Sequence, residues 1–400
     1  MGADARRARR AAILSSANAS TDEPSTADAD AIVVGAGPAG LACGAALSRR
    51  GLKTLILEKG DAVGAVWRRH YDRLHLHTDR DHSALPGWPM PRSYPRYPAR
   101  AQVVEYLEGY AQHFGLQPVF HSDVKRVRRN DAHWQVETRT DTRAAPLVII
   151  ATGWADTPYT PRFPGMDDYR GRMLHSSVYR NPSPHAGQRV LVVGLGNSGG
   201  EIALDLAEAD IDVTLAVRGP VKILPRELLG LPVITWAIAQ RWLPPGVADF
   251  LDAPLLRLAV GSLRDTGLTE LRKGPLRMIA EDHRVPMLDV GTLARIRDGS
   301  IKVRDGIDHF TADGVVFASG AAEPFDAVIF ATGFRPDMRG LLPDAPELFD
   351  GQGLPRVTGK PTSQPGLFFC GQIVIASGQF RAIGIEAEQI GRLAAKYLLH

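Results

Sequence analysis

Two stretches of this chain combine residue types and spacing that can hold a dinucleotide. "VVGAGPAGLA" at 33–42 sets Gly35, Gly37 and Gly40 in a G-x-G-x-x-G pattern, with Ala36, Pro38 and Ala39 between them. "VVGLGNSGGE" at 192–201 repeats it with Gly194, Gly196 and Gly199 around Leu195, Asn197 and Ser198. In such a loop the first glycine makes a tight turn, the second lets backbone approach a pyrophosphate, and the third lets helix and strand pack closely. The free N–H groups of the helix that follows then face the phosphates.

The chemistry of the two sites differs at one position. In the first unit, "AIVV" reads as a strand covered on both faces, "LACGAALSRR" as a helix ended by Gly51, and "KTLILE" as a second strand. Glu58 closes that strand, with Lys59 after it, where a carboxylate meets a ribose hydroxyl. A carboxylate there repels a 2′-phosphate, which leaves FAD or NAD. In the second unit, "RVLVV", "GEIALDLAE" and "DVTLAVR" repeat the arrangement, and Arg218 stands near the place of the acid. A guanidinium can fork onto a 2′-phosphate, so this site reads as NADPH-binding. Two different dinucleotides on one chain imply FAD in the first loop and NADPH in the second, with hydride passing from nicotinamide to flavin.

The bulk composition is compatible with this. The chain has 400 residues, 44% hydrophobic and 23% charged, with a net charge of only +3. That supports two or three packed domains and argues against a nucleic-acid binder; "RRARR" and "KRVRR" read as solvated surface. Two cysteines, Cys43 and Cys370, make no disulfide framework and fit a reducing compartment. Residues 1–30 read as a disordered tail with neither a signal-peptide core nor a myristoylation site, so the expectation is a cytoplasmic protein. The segment 228–263 is very apolar, but Pro232, Pro244, Pro245 and Pro254 interrupt it short of an integral membrane span. It reads as inserted helices covering a substrate pocket, with plain core or membrane-surface contact as the other readings. His75 and His77 alternate and would share one face of a strand, but no further metal ligands are evident. No metal is expected.

Further motifs narrow the class. "ATG" recurs at 151–153 and within "FATGF" at 330–334, each after an apolar strand, where two-dinucleotide flavoproteins cross between domains. Tyr169, Gly171, His175 and Tyr179 resemble the F-x-G-x-x-x-H-x-x-x-[YW] signature of class B flavin-dependent monooxygenases, with Tyr in place of the usual Phe. Residue 179 is Tyr, where Baeyer–Villiger enzymes typically carry Trp followed by Pro, so the flavin-containing monooxygenase branch is preferred. Within it, "RHYDRLHLHT" (69–78), "YPARAQVVEYLEGYAQHF" (97–114) and "VPMLDVGTLARIRDGSIKV" (285–303) look like the YUCCA flavin monooxygenases.

The resemblance, over roughly residues 30–395, implies an NADPH- and O₂-dependent enzyme that works through a flavin C4a-(hydro)peroxide. It implies decarboxylation of indole-3-pyruvate or a related aryl-pyruvate to the acetic acid, an auxin-type synthesis. Oxygenation of amine nitrogen or sulfide sulfur, Baeyer–Villiger oxidation, and a non-oxygenating flavoprotein reductase remain as alternatives. The resemblance puts Gly35 to Gly40 and Glu58 on FAD, Gly194 to Gly199 on NADPH, and Arg180 where relatives carry a Lys that reaches the NADP phosphate. Thr332 and Gly333, in the second "ATG", are further cofactor-site candidates. The chemistry is flavin-borne, so no catalytic side chain is assigned; Trp67, His175 and Asn197 are candidates near flavin or nicotinamide. Animal flavin monooxygenases place an Asn near the flavin in the region matching "LHLHT"; this sequence has none there, so no catalytic Asn is carried over.

The expected architecture is α/β, with two doubly wound Rossmann-like domains. The FAD domain spans 31–160 and 325–400. The NADPH domain at 161–324 is inserted in it and carries a helical insertion at 225–275. Expected partners are O₂ and a small-molecule substrate, with no nucleic acid; the oligomeric state stays open.

Overall fold

The computed structural model describes residues 27–130, 133–154 and 157–399. The chain begins with β1 (Ala31–Val34), α1 (Pro38–Ser48), β2 (Thr54–Leu57), α2 (Ala65–Arg69) and α3 (Arg100–His113). Three antiparallel strands follow, β3 (Arg126–Asn130), β4 (His133–Glu137) and β5 (Thr142–Ala145), and then β6 (Leu147–Ile150). The second stretch runs through β7 (Arg172–His175), β8 (Arg189–Val193), α4 (Asn197–Glu208) and β9 (Asp212–Ala216). Next come β10 (Ile223–Pro225), β11 (Glu227–Leu228), β12 (Leu231–Pro232), α5 (Val233–Ala239), α6 (Pro245–Val260) and α7 (Pro275–Asp282). The chain continues with β13 (Met287–Asp289), α8 (Thr292–Arg297) and β14 (Ile301–Arg304). A second antiparallel triplet, β15 (Ile307–Phe310), β16 (Gly314–Phe317) and β17 (Ala322–Pro324), leads into β18 (Ala327–Phe330); β19 (Leu367–Phe369) and α9 (Gln379–Tyr397) end the chain.

The strands form two parallel sheets, in the orders β19-β6-β1-β2 and β14-β9-β8-β18-β7. β1, β6 and β18 are buried at every residue, which explains their uninterrupted apolar sequences: a parallel strand with helices on both faces has no polar side. The all-apolar α1 is buried along nearly its whole length because α9 covers its outer side. That contact is close because its residues are small: a Cβ on Gly391 would lie 3.1 Å from the Ala46 carbonyl.

Every strand of the second sheet falls between β6 and β19 in the chain. β18 at Ala327–Phe330 pairs with β7 and β8, so the return to the first sheet comes after residue 330 and not at 325. The sequence offers no local sign of this, because β6 and β18 have the same apolar pattern and the same "ATG" after them. The segment expected as a helical insertion at 225–275 opens with the β11–β12 hairpin, and its last helix, α7, runs to Asp282. The C-terminal helix α9 begins at Gln379. The tail boundary at 30 is late: the Asp28 and Ala144 backbones are tied by Asp28 N–H to Ala144 O (3.0 Å), and Asp30 accepts the Lys53 N–H. Residues 1–26 lie outside the described residues.

Candidate active site

The two glycine loops have matching local geometry. Gly35 and Gly194 have φ of +109° and +102°, backbone that an L side chain rarely adopts. A Cβ on Gly40 would sit 1.8 Å from the Gly35 carbonyl, and one on Gly199 2.0 Å from the Gly194 carbonyl. A Cβ on Gly37 or Gly196 would meet nothing within 4 Å. In each loop, then, two glycines are demanded by the protein's own packing, and the middle one borders open space at a helix N-terminus. That is a cradle suited to pyrophosphate. The "ATG" segments complete the symmetry. Ala151 N–H bonds to Val34 O and Ala331 N–H to Val193 O, both at 2.9 Å, and each alanine carbonyl lies against the first glycine of its loop.

Glu58 is buried at the end of β2. Its carboxylate accepts the N–H groups of Ala36 (2.7 Å) and Gly60 (2.8 Å), which holds the turn of the first loop. It also lines a cavity of about 640 Å³ that runs from Gly35, Gly37, Pro38 and Ala39 past Glu58, Lys59 and Trp67 to Asn197 and Ser198 of the second loop. Trp67 meets Phe380 edge-on at 5.7 Å. Asn197 Oδ1 accepts the Leu288 N–H at 2.7 Å, which ties the second loop to β13. Ile234, Trp236, Leu256, Leu276 and Leu288 give the cavity an apolar wall drawn from the inserted helices and β13.

Other residues singled out from the sequence lie outside the cavity wall. Ala36, Gly40, Gly194, Leu195, Gly196 and Gly199 belong to the backbone turns of the loops. His175 is 8% exposed, and both ring nitrogens are engaged: Nε2 donates to Gly333 O at 3.0 Å, and Nδ1 accepts the Ser177 N–H at 3.1 Å. Burial lowers its pKa. The ring clamps the second "ATG" segment and does not line the cavity. Thr332 also braces this segment through its hydroxyl bond to Tyr159 O. Arg180 Nη1 donates to Arg68 O (2.9 Å) and His70 O (2.7 Å), so its guanidinium ties the signature segment to the C-terminal end of α2. Arg218 is exposed just beyond β9, beside Gly306.

The structure also brings together residues that local pattern did not single out. α4 presents Glu201, Asp205 and Glu208 at spacings of four and three, one face of a helix. Each acid meets a partner from outside α4. Tyr71 Oη donates to Glu201 (3.3 Å), His77 Nε2 donates to the other Glu201 oxygen, Tyr179 Oη donates to Asp205 (2.8 Å), and Arg73 pairs with Glu208. His75 and His77 part company because residues 71–78 form turns and not a strand. His75 is exposed with Nδ1 on Arg73 O, while His77 turns to Glu201. No group of three or more possible metal ligands occurs among the described residues. The one signal that could have pointed to Glu201 is an acid directly after a glycine loop, followed by Asp205 and Glu208 on the same helical face.

His70 also lines the cavity, and its environment makes a pH prediction. Burial first, then the Arg100, Arg69 and Arg180 charges, bring its pKa from 6.5 to about 4. The fold therefore holds the ring neutral, whereas the unfolded chain takes up a proton below pH 6.5. The resulting stability is present above that pH and is lost as pH falls towards about 4. His70→Phe is expected to remove about 1–3 kcal/mol of the stability loss over this window. Denaturant unfolding of both proteins across the window measures the slope, and identical slopes would show that His70 does not carry it.

A family model described as pyridine nucleotide-disulphide oxidoreductase matches residues 32–225. The two cysteines, Cys43 and Cys370, are both buried and unbonded. The chain is 38% identical over 362 residues to the indole-3-pyruvate monooxygenase YUCCA4 of Oryza sativa subsp. japonica, covering 85% of this chain and 82% of that protein. It is 39% identical over 332 residues to the indole-3-pyruvate monooxygenase YUCCA1 of the same plant, covering 82% of each. Among solved structures it is similar to a flavin-containing monooxygenase from Stenotrophomonas maltophilia, with a TM-score of 0.70 and 26% identity, over 92% of this chain and 99% of that one.

Proposed function

Since the chain belongs to the YUCCA family of flavin monooxygenases, we propose that it uses NADPH and O₂ to convert indole-3-pyruvate, or a closely related aryl-pyruvate, to the corresponding acetic acid and CO₂. The observation that carries this reading is the pair of matched glycine cradles, one ended by Glu58 and the other by Arg218, reaching one apolar cavity of about 640 Å³. A cavity of this size, mostly apolar with a few polar groups, suits an aryl ring beside flavin.

The residues present fit both cofactors. The open space at Gly37 and the N-terminus of α1 take the FAD pyrophosphate, with Glu58 at the ribose. The corresponding space at Gly196 takes that of NADPH, with Arg218 at the 2′-phosphate. When bound, nicotinamide supplies the hydride and flavin the activation of O₂. The chain's part is to hold, orient and keep water out. Ile234, Trp236 and Leu256 of the inserted helices form the apolar cover, which limits proton leakage at the reacting centre. In this reading the FAD domain is discontinuous, built from the first sheet with α9, and the NADPH domain is inserted within it. Two unbonded cysteines fit a reducing, cytoplasmic location; no helix among the described residues is long and apolar enough to cross a membrane.

The deciding assay supplies NADPH, isotopically labelled O₂ and indole-3-pyruvate to the FAD-loaded protein. The product acid is expected to carry one labelled oxygen, and CO₂ to appear one-for-one with NADPH consumed. Efficient oxygenation of an amine or thioether, with indole-3-pyruvate giving only H₂O₂, would replace this reading by N- or S-oxygenation. Product from a simple ketone would favour a Baeyer–Villiger enzyme, and NADPH oxidation without oxygen incorporation a reductase.

A further inference from the structure

The cavity wall includes few side chains able to bear a positive charge. Among the described lining residues they are Lys59, His70, His75 and His77. Lys59 adjoins Glu58 at the first-loop end. His70 is held neutral by burial and the surrounding arginines. His75 is exposed and spends Nδ1 on the Arg73 carbonyl. His77 differs from these because a buried carboxylate stands behind it. Glu201 is 4% exposed, and its two oxygens are taken by His77 and by the hydroxyl of Tyr71, itself 2% exposed. A carboxylate only accepts, so His77 Nε2 carries a hydrogen towards Glu201 and Nδ1 is the ring atom left to meet a ligand. No protein partner for Nδ1 is found among the described residues.

His77 lines the same cavity as the apolar residues Ile234, Trp236 and Leu256. A Cβ on Gly378 would lie 2.5 Å from Ile234 of α5 and 3.2 Å from Thr78, the residue after His77. The backbone that carries His77 thus comes close to Ile234 at Gly378, and all three residues line the cavity. A ligand with an aromatic ring and an anionic head needs both features. The ring is served by Ile234, Trp236 and Leu256. The head needs a donor, and an imidazolium backed by a carboxylate would offer Nδ1–H to that head with its own charge compensated.

We propose that His77 binds the carboxylate of the substrate and that Glu201, with Tyr71, is the positioning residue that holds His77 for it. This makes His77 a determinant of specificity for anionic over neutral substrates, and it rests on the aryl-pyruvate reading above.

The test compares indole-3-acetate with neutral indole-3-acetamide by calorimetric binding to the FAD-loaded full chain. Wild type is expected to favour the anion by about tenfold or more, the value of one charge-assisted hydrogen bond. His77→Gln should bring the two affinities within about twofold of each other, chiefly by weakening the anion. Glu201→Gln, which keeps an acceptor but removes the charge, should give an intermediate ratio and raise the indole-3-pyruvate KM more than it lowers kcat. FAD content and NADPH affinity of each variant serve as the check on folding, and Tyr71→Phe gives a milder perturbation of the same pair if Glu201→Gln fails that check. An unchanged anion preference in His77→Gln, in a wild type that turns over indole-3-pyruvate, overturns this proposal alone. Wild type that neither binds indole-3-acetate nor turns over the keto acid overturns the aryl-pyruvate reading and this proposal with it.

Discussion

Gly37→Val is expected to yield a folded protein that purifies without flavin colour. The middle glycine of the first loop has no neighbour within 4 Å of a Cβ placed on it, so valine clashes with nothing in the protein itself. Its φ is outside the range that demands glycine, so the backbone accepts a side chain. What the two methyl groups take is the space against the N-terminus of α1, where the proposed reading puts the pyrophosphate against backbone N–H groups. Gly40→Ala is the contrasting control. A single methyl there falls 1.8 Å from the Gly35 carbonyl, so α1 and β1 must separate and the fold itself suffers. The measurement is flavin content beside thermal unfolding. Gly37→Val should lose FAD while its circular dichroism stays native, and Gly40→Ala should lose stability. Stoichiometric FAD in purified Gly37→Val would mean that pyrophosphate does not lie on this loop.

Gly196→Val should give the complementary phenotype, a yellow protein whose flavin NADPH does not reduce. The geometry of the second loop repeats that of the first, with open space at Gly196 and the third glycine packed so close that a Cβ on it would fall 2.0 Å from the Gly194 carbonyl. FAD retention should be untouched, because the first loop belongs to the other parallel sheet. Stopped-flow anaerobic reduction tests this directly. Arg218→Ala grades the effect. Losing one charge-assisted contact, about 1.5–3 kcal/mol, should raise the NADPH KM by about tenfold or more and leave NADH nearly unchanged. Equal effects on the two cofactors would make Arg218 a structural residue, and full-rate reduction of Gly196→Val would remove the second loop from the nucleotide site.

Both glycine loops were legible in the sequence as tight strand-to-helix turns because their requirements are local. A turn with positive φ, a close helix–strand approach and an open middle position each select glycine at a given spacing, whatever the rest of the chain does. The apolar strands around them are legible for the same reason, since a strand covered on both faces tolerates no polar residue. The tertiary structure decided everything that depends on which distant segment arrives beside a side chain. The strand of residues 327–330 could join either sheet on its own pattern, and its pairing with residues 172–175 and 190–193 decides for the second. His175 is a signature residue, yet its ring is turned to the Gly333 carbonyl, 158 positions along the chain. His77 and Glu201 lie 124 positions apart, and neither residue type by itself distinguishes a solvated side chain from a buried pair. Their meeting follows from how α4 packs against residues 71–78. Side-chain direction in irregular backbone and across packed segments is set by that packing and not by spacing along the chain.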